Sequence, residues 1–297
     1  MRTLLSAITW LGLISGLSLG AEADIGNKVQ FFNASGVKIA YSDAPPDAGH
    51  AEPVVLLQGF GGRLSHWKPM RDALHKAGYR VLAMDSRGHG QSDKPHDPDL
   101  YGQEMADDVA RLLDHLRLRR AHIIGYSMGG DIANRVRERH PSRVITVTMG
   151  GVGRGVAKGW TTSEFNVIKV AESLERGEGM KSLFREPGGA GTEIPSEAEI
   201  EKLNARFMEG QDPLALAAVI RAYARLEVSE ESLKDNLVPT LVIVGEDDPE
   251  KPTVDELKRV MKNMRTVIIP GVDHFHAAVK PEFLRATVEF LEAHRDR

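Results

Sequence analysis

The chain has 297 residues, of which 41% are hydrophobic and 27% are charged. That balance is ordinary for a folded globular protein and argues against an intrinsically disordered chain. The formal net charge is -4 and no basic block occurs, so the sequence does not favour a nucleic acid as partner. There is no cysteine, which excludes disulfide bonds, thiolate metal sites and a cysteine nucleophile.

The first 23 residues have the pattern of a secretory signal peptide. A short positive segment, Met1–Thr3, precedes an apolar run over Leu4–Gly20, and Ala21–Ala23 matches the small-x-small pattern before a cleavage site. We therefore predict an exported protein, periplasmic or secreted, with its mature domain over residues 24–297. The alternative is an uncleaved membrane anchor, because the apolar run approaches the ~20 residues that a spanning helix needs. Such an anchor would be the predicted membrane contact of the chain.

Short apolar segments then alternate with helical patterns along most of the chain. Strands are predicted at Lys28–Phe32, Val37–Tyr41, Pro53–Leu57, Tyr79–Met84, Ala121–Ile124, Val144–Met149, Thr240–Val244 and Arg265–Ile269. Helices are predicted around Trp67–Leu74, Met105–Leu116, Met128–Val136, Val254–Met264 and Phe283–Leu291. This alternation predicts an α/β fold, a mostly parallel sheet of roughly eight strands flanked by helices and joined by right-handed crossovers.

The alternation breaks between about residues 152 and 236. No segment there has a strand pattern, and helical patterns occur near Glu164–Arg176, Glu197–Met208 and Leu214–Leu226. We interpret this region as a helical insertion between two strands, over the carboxyl ends of the strands, where α/β sheets bind ligands. A lid over the site is the functional interpretation, and a structural appendage is the alternative.

The segment Gly125–Gly129 reads Gly-x-Ser-x-Gly, with a predicted strand before it and a predicted helix after it. Strand, motif and helix together are the context of a nucleophile elbow. A serine hydroxyl is a weak nucleophile, so it must be exposed, held in place and paired with a base. The helix N-terminus also offers free N–H groups where negative charge would develop. We therefore predict Ser127 as a catalytic nucleophile.

Two later strands end at candidate partners for this serine. The strand over Thr240–Val244 leads into Asp247 and Asp248, and the last strand leads into His274. A serine hydrolase needs a histidine base and a carboxylate that orients the base. The order serine, aspartate, histidine is the order that a nucleophile-elbow fold uses along its chain. On this reasoning both aspartates remain candidates for the acid.

Taken together, these stretches resemble the α/β-hydrolase fold superfamily, in its lid-bearing serine esterase-like branch. The resemblance rests on Leu56–Gly62, Asp85–Ser92, Gly125–Gly130, Pro239–Pro249 and Pro270–Phe283, and it extends from about Val29 to Leu291. It implies Asp248 as the acid, because the family pattern places the acid three residues after the strand-end glycine. It also implies His274 as the base in preference to His276.

The same resemblance implies an oxyanion hole made by two backbone N–H groups. One donor belongs to Met128, directly after the nucleophile, and the other to Phe60, in the loop that follows the third strand. The family commonly has His-Gly before the second donor, whereas this chain has Gln58-Gly59. Because the donor is a backbone group, the exchange does not remove it.

The resemblance implies a serine hydrolase that cleaves a carboxylic ester through an acyl-enzyme on Ser127, with a small ester-like molecule as its partner. The signal pattern adds the expectation that this hydrolase is exported. Alternatives for the same triad are lactones, amides, carbon–carbon bonds of dienoic ring-fission products, and cofactor-free haloperoxidase activity. A non-catalytic binding protein is a third hypothesis. No cofactor or metal is predicted, because the sequence contains neither His-Glu-x-x-His nor a phosphate-binding loop. The sequence does not predict an oligomeric state.

Overall fold

The computed structural model describes residues 28–46, 52–154, 167–186 and 194–295. The predicted signal peptide lies outside these ranges, as do residues 164–166 at the start of the first helix predicted in the insertion. Within the described ranges, no helix has the length and apolar character needed to cross a membrane.

One eight-stranded sheet forms the framework of the protein. Its strands are β1 (Gln30–Ala34), β2 (Val37–Ala44), β3 (Pro53–Leu57), β4 (Arg80–Met84), β5 (Ala121–Tyr126), β6 (Val144–Gly150), β7 (Thr240–Gly245) and β8 (Met264–Ile269). Their order is β1-β2-β4-β3-β5-β6-β7-β8. The pairs β1–β2 and β2–β4 are antiparallel, and all other pairs are parallel. The predicted sheet is thus confirmed.

Helices follow most of the strands. They are α1 (Lys68–Lys76), α2 (Gln103–His115), α3 (Met128–Arg139), α4 (Val167–Glu175), α5 (Lys181–Phe184), α6 (Glu197–Phe207), α7 (Pro213–Ala222), α8 (Glu230–Lys234), α9 (Lys251–Val260) and α10 (Pro281–Glu292). Helices α4 to α8 lie between β6 and β7 and form what we call the helical insertion. In the described part of residues 151–239 there is no strand.

The sheet is covered on both faces, which explains why its central strands are apolar without alternation. In β3, Val55 and Leu57 belong to the hydrophobic cluster that includes residues of α2, α3 and α9, whereas Val54 and Leu56 belong to the cluster that includes residues of α1 and α10. All four side chains are fully buried. The two helical layers thus hold the strand ends, and the loops that leave them, in fixed positions.

The topology brings two loops together at one edge of the sheet. From β3 the chain crosses to β4 on one side and later returns to β5 on the other side. The loops after β3 and β5 therefore leave the sheet where the strand order reverses, which is where open α/β sheets bind ligands. The first loop begins at Gln58, and the second begins at Ser127.

Element boundaries differ from the predicted ones by a few residues. The helix predicted over Val254–Met264 is present but lies three to four residues earlier in the chain, because α9 begins at Lys251 and ends at Val260. Pro252 lies in its first turn, where a missing N–H costs no hydrogen bond, and Met264 already belongs to β8. Strand β2 continues to Ala44, since it pairs with β4 beyond Tyr41.

A buried ion pair anchors the loop that follows β4. The guanidinium of Arg87 donates through Nε and Nη2 to the two carboxylate oxygens of Asp108 in α2, each at 2.7 Å. The two side chains are only 1% and 0% exposed. The pair therefore fixes this loop against the helical layer, and its two partners depend on one another to remain buried.

We predict that Asp108→Ala lowers the free energy of unfolding by about 3–5 kcal/mol, because it leaves a buried guanidinium without its anion. Chemical denaturation measures the change. Asp72→Ala is the matched control, since it removes the exposed i,i+4 pair with Lys68 and should cost less than about 0.5 kcal/mol. Equal losses in the two variants would contradict the prediction.

Candidate active site

Ser127 lies in a sharp turn between β5 and α3. Its backbone has φ 52° and ψ -125°, a region where a residue other than glycine pays about 1–3 kcal/mol. Hydrogen bonds hold this conformation: the N–H of Ser127 donates to the carbonyl of Gly150 at 2.8 Å. The carbonyl of Ser127 accepts from the N–H groups of Gly130 at 2.7 Å and Asp131 at 3.2 Å. The surrounding sheet and helix thus impose the strained turn on the serine.

The two glycines of the motif allow α3 to approach the sheet closely. A Cβ atom on Gly125 would lie 1.8 Å from the carbonyl oxygen of Gly129. A Cβ atom on Gly129 would lie 2.0 Å from the carbonyl oxygen of Leu57. Both distances are far shorter than atoms tolerate, so any side chain here would displace the helix that carries the turn.

His274 and Asp248 reach Ser127 from the ends of β8 and β7. The Nε2 atom of His274 lies 3.0 Å from Ser127 Oγ. Its Nδ1 atom lies 3.1 Å and 3.0 Å from the two carboxylate oxygens of Asp248. In this arrangement Nδ1–H donates to the carboxylate, and Nε2 accepts from the serine hydroxyl. The structure therefore brings the three predicted residues into one chain of hydrogen bonds.

The alternative acid and the alternative base from the sequence are not part of these hydrogen bonds. Asp247 is exposed, whereas Asp248 is 3% exposed. The Nδ1 atom of His276 lies 2.7 Å from the carboxylate of Asp273, within its own loop. The geometry thus agrees with the residues that the family pattern selects.

The electrostatics of the site raise the pKa of His274 above its ordinary value. Burial opposes a positive charge on the imidazole, but the hydrogen bond and negative charge of Asp248, together with the other acids nearby, outweigh burial. The charges of Glu250 and Asp273 act in the same direction. The carboxylate is therefore placed where it stabilises the imidazolium.

Two further acids lie near His274, the half-buried Glu250 and the buried Asp131. Burial raises the pKa of Glu250 above its ordinary value. Burial also raises the pKa of Asp131 to about 8, even though a hydrogen bond from Tyr223 opposes the shift. At neutral pH the carboxyl of Asp131 is therefore mainly protonated, and it adds little negative charge beside the histidine.

Tyr126 supports the histidine loop, and the sequence does not reveal this role. Its hydroxyl donates to the carbonyl of His274, and its ring lies 5.6 Å from the imidazole between centroids. The motif accepts any residue at this position, so no sequence signal marks it. Asp131 is also absent from the site residues predicted from the sequence. Its position one helical turn after Ser127 is the sequence signal that could identify it.

The loop after β3 lies against the serine, as the predicted oxyanion hole requires. A Cβ atom on Gly59 would lie 3.3 Å from Ser127 Cβ. Met128 is the first residue of α3, so its N–H has no acceptor inside the helix. Within the described residues, neither this N–H nor that of Phe60 donates to another backbone carbonyl. Gln58, which precedes them, is buried.

A search of the described residues finds no group of three or more His, Cys, Asp or Glu side chains arranged to hold a metal ion.

Comparisons with known proteins agree with this architecture. A family model described as alpha/beta hydrolase fold matches residues 52–164. The 3-oxoadipate enol-lactonase 1 of Acinetobacter baylyi is 31% identical over 214 residues, which cover 69% of this chain and 75% of that protein. A crystal structure of the enol-lactonase from Burkholderia xenovorans LB400 matches with a TM-score of 0.71 at 26% identity and covers 89% of this chain and 100% of the other.

Another relative is much longer than the matching region. The dihydrolipoyllysine-residue acetyltransferase component of the acetoin cleaving system of Cupriavidus necator is 37% identical over 146 residues. These residues are 47% of this chain and 37% of that protein, so the match spans little more than a third of the relative.

We predict that the imidazole of His274 titrates with a midpoint above pH 6.5, and that Asp248→Asn lowers the midpoint because it removes the charge that favours the imidazolium. NMR of the ring Cε1–H signal measures both. Asp247→Asn, at the exposed neighbouring position, is the matched control and should leave the midpoint in place. An unchanged midpoint in Asp248→Asn would contradict the pairing.

Proposed function

Because this chain belongs to the alpha/beta hydrolase fold family, we propose that it is a serine hydrolase that acts on a carboxylic ester. The observation that carries the proposal is the hydrogen-bonded chain from Asp248 through His274 to Ser127, in which Nε2 lies 3.0 Å from the serine oxygen. The serine stands on a strained turn at the carboxyl end of β5, where an α/β sheet presents its nucleophile.

The proposed reaction begins with the attack of Ser127 Oγ on the ester carbonyl. His274 Nε2 takes the hydroxyl proton, and the carbonyl becomes a tetrahedral oxyanion. The oxyanion collapses, the bond to the alcohol breaks, and His274 returns the proton to the leaving alkoxide. Water then attacks the acyl-enzyme with His274 again as base, and this releases the carboxylic acid and free Ser127.

The other groups have supporting roles in this proposal. Asp248 holds the Nδ1–H tautomer of His274 and stabilises the imidazolium while the proton is on Nε2. The N–H groups of Phe60 and Met128 donate to the oxyanion, and each such donor is worth about 10²–10³-fold in rate. The position of Met128 at the N-terminus of α3 adds the favourable end of the helix dipole.

A cyclic ester is the second candidate substrate. The observation that favours it is the similarity to two proteins named as enol-lactonases, one by sequence and one by structure. A lactone has the same carbonyl chemistry, and its leaving alkoxide stays attached to the acyl group. The same residues therefore serve both substrates, and only the pocket distinguishes between them.

We predict that a fluorophosphonate probe labels Ser127, and that Ser127→Ala removes the label and lowers ester turnover by about 10⁴-fold or more, because no other group supplies the nucleophile. Mass spectrometry of the labelled peptide locates the adduct. Ser142→Ala, at an exposed position, is the matched control and should keep both label and turnover.

A series of p-nitrophenyl esters and lactones then tests the substrate class. Turnover of open esters supports the first candidate, and turnover of lactones alone supports the second. A folded wild-type protein that takes no label at Ser127 would contradict both candidates and favour a binding protein on this fold.

We also propose that residues 1–23 direct export, on the strength of their sequence pattern. N-terminal sequencing of the protein recovered from expressing cells tests this proposal. A mature chain that begins near Asp24 is the expected result, because Ala21–Ala23 has the pattern of a cleavage site. A chain that still begins at Met1 would contradict it.

A further inference from the structure

The helical insertion contacts the loop that carries the proposed oxyanion donor. We call residues Phe60–Arg63 the oxyanion loop and residues Phe207–Gln211, at the end of α6, the insertion turn. Three residues of the oxyanion loop receive contacts from three residues of the insertion turn. These contacts join segments that are about 150 positions apart in the chain.

Phe207 presses directly on the oxyanion loop. Its ring stacks on the ring of Phe60, with 6.2 Å between centroids and 26° between planes. A Cβ atom on Gly61 would lie 2.2 Å from Phe207 Cζ, so the ring tip occupies the space that a side chain would need. Gly61 also has φ +70°, a conformation that favours glycine. The aromatic ring therefore packs directly against the backbone of Gly61.

Hydrogen bonds reinforce this contact. The side-chain Nε2 of Gln211 donates to the carbonyl of Gly61 at 2.7 Å. Arg63 Nη2 donates in the opposite direction, to the carbonyl of Glu209 at 3.3 Å. The carbonyl of Gly61 belongs to the peptide unit that joins Gly61 to Gly62, two units after the one that carries the N–H of Phe60. The amide of Gln211 therefore constrains the loop backbone close to the proposed donor.

The oxyanion loop also contacts the loop that follows β4. The imidazole of His89, which is fully buried, meets the ring of Phe60 edge-on at 5.7 Å. The N–H of Leu64, directly after the loop, donates to the buried carboxylate of Asp85 at 2.6 Å. The oxyanion loop is therefore held both by the loop that follows β4 and by the insertion.

We propose that Gln211 and Phe207 are positioning residues that fix the backbone of Phe60 so that its N–H meets the oxyanion. This inference rests on the proposed serine hydrolase function. Neither side chain needs to touch the reacting atoms. They act through the ring of Phe60 and the backbone of Gly61, and they make the oxyanion hole complete only while the insertion turn contacts the loop.

The hydrogen bonding of Gln211 indicates which part of its side chain matters. Its Nε2 has an acceptor in Gly61, whereas its Oε1 is buried and has no hydrogen-bond partner within the described residues. A buried carbonyl without a donor is unfavourable. The side chain nevertheless holds this position, in which its Nε2 donates to Gly61. The donated hydrogen bond to the oxyanion loop is the interaction that the proposal requires.

Two substitutions at Gln211 separate donation from packing. Gln211→Met keeps the length of the side chain but removes the donor, and Gln211→Glu places a second acceptor against the carbonyl of Gly61. A displaced donor costs up to about 10²-fold in rate, so we expect the fluorophosphonate labelling rate and kcat to fall by about tenfold in Gln211→Met and further in Gln211→Glu. Phe207→Leu should show a similar fall.

Three controls make the result specific. Rates are divided by the number of titrated active sites, which removes the effect of misfolded protein. The inhibition constant of the alcohol product should stay within about twofold, because the alcohol has no carbonyl oxygen to place in the oxyanion hole. Gln30→Glu, at an exposed position of β1, carries the same charge change and should label at the wild-type rate.

The outcomes distinguish this inference from the function on which it rests. A wild-type protein that is not labelled at Ser127 would overturn the proposed function. If the wild type is labelled and Gln211→Met and Gln211→Glu react at its rate per active site, only the positioning role is overturned. Equal losses in labelling rate and product binding would also overturn it, because they would indicate a general change of the pocket.

Discussion

The backbone turn at Ser127 is the constraint on which the rest of the site depends. Its positive φ is unfavourable for a serine, and it persists because β5, α3 and the end of β6 hold the peptide on both sides through hydrogen bonds to Gly150 and Gly130. The same turn also requires the glycines on either side of the serine. Because a side chain on Gly125 or Gly129 would collide with backbone, the helix can start directly behind the serine only with glycine at these positions.

The parallel sheet also positions the partners of the serine. Strands β7 and β8 end at the same edge as β5, so their loops deliver Asp248 and His274 to one place. Burial alone would discourage a charged imidazole, yet the buried carboxylate of Asp248 reverses this effect. Burial raises the pKa of Asp131, so this acid adds little further negative charge beside the histidine. The site can therefore stabilise an imidazolium transiently through the carboxylate of Asp248.

The helical insertion is more than a cover in this architecture. Phe60 packs with the main core and also with the separate core of the insertion. Its ring thus lies at the junction of two hydrophobic clusters, and its backbone directly follows Gly59, which lies against the nucleophile. In the positioning role proposed above, sequence changes that alter Phe207 or Gln211 would act on the site through Phe60 and Gly61, without any contact of their own with a substrate.

The sequence by itself determined the class of fold, since apolar strand segments and helical spacing are local patterns that reflect a sheet covered on both faces. It also made Ser127, His274 and two adjacent aspartates candidates, because each follows a strand end, and the family resemblance favoured Asp248 of the two. Only the tertiary structure decided that Asp248 faces the histidine while Asp247 faces solvent. It alone joined Tyr126 to His274 and Gln211 to Gly61. Such contacts depend on how distant segments pack, and residues so far apart in the chain leave no common spacing to read.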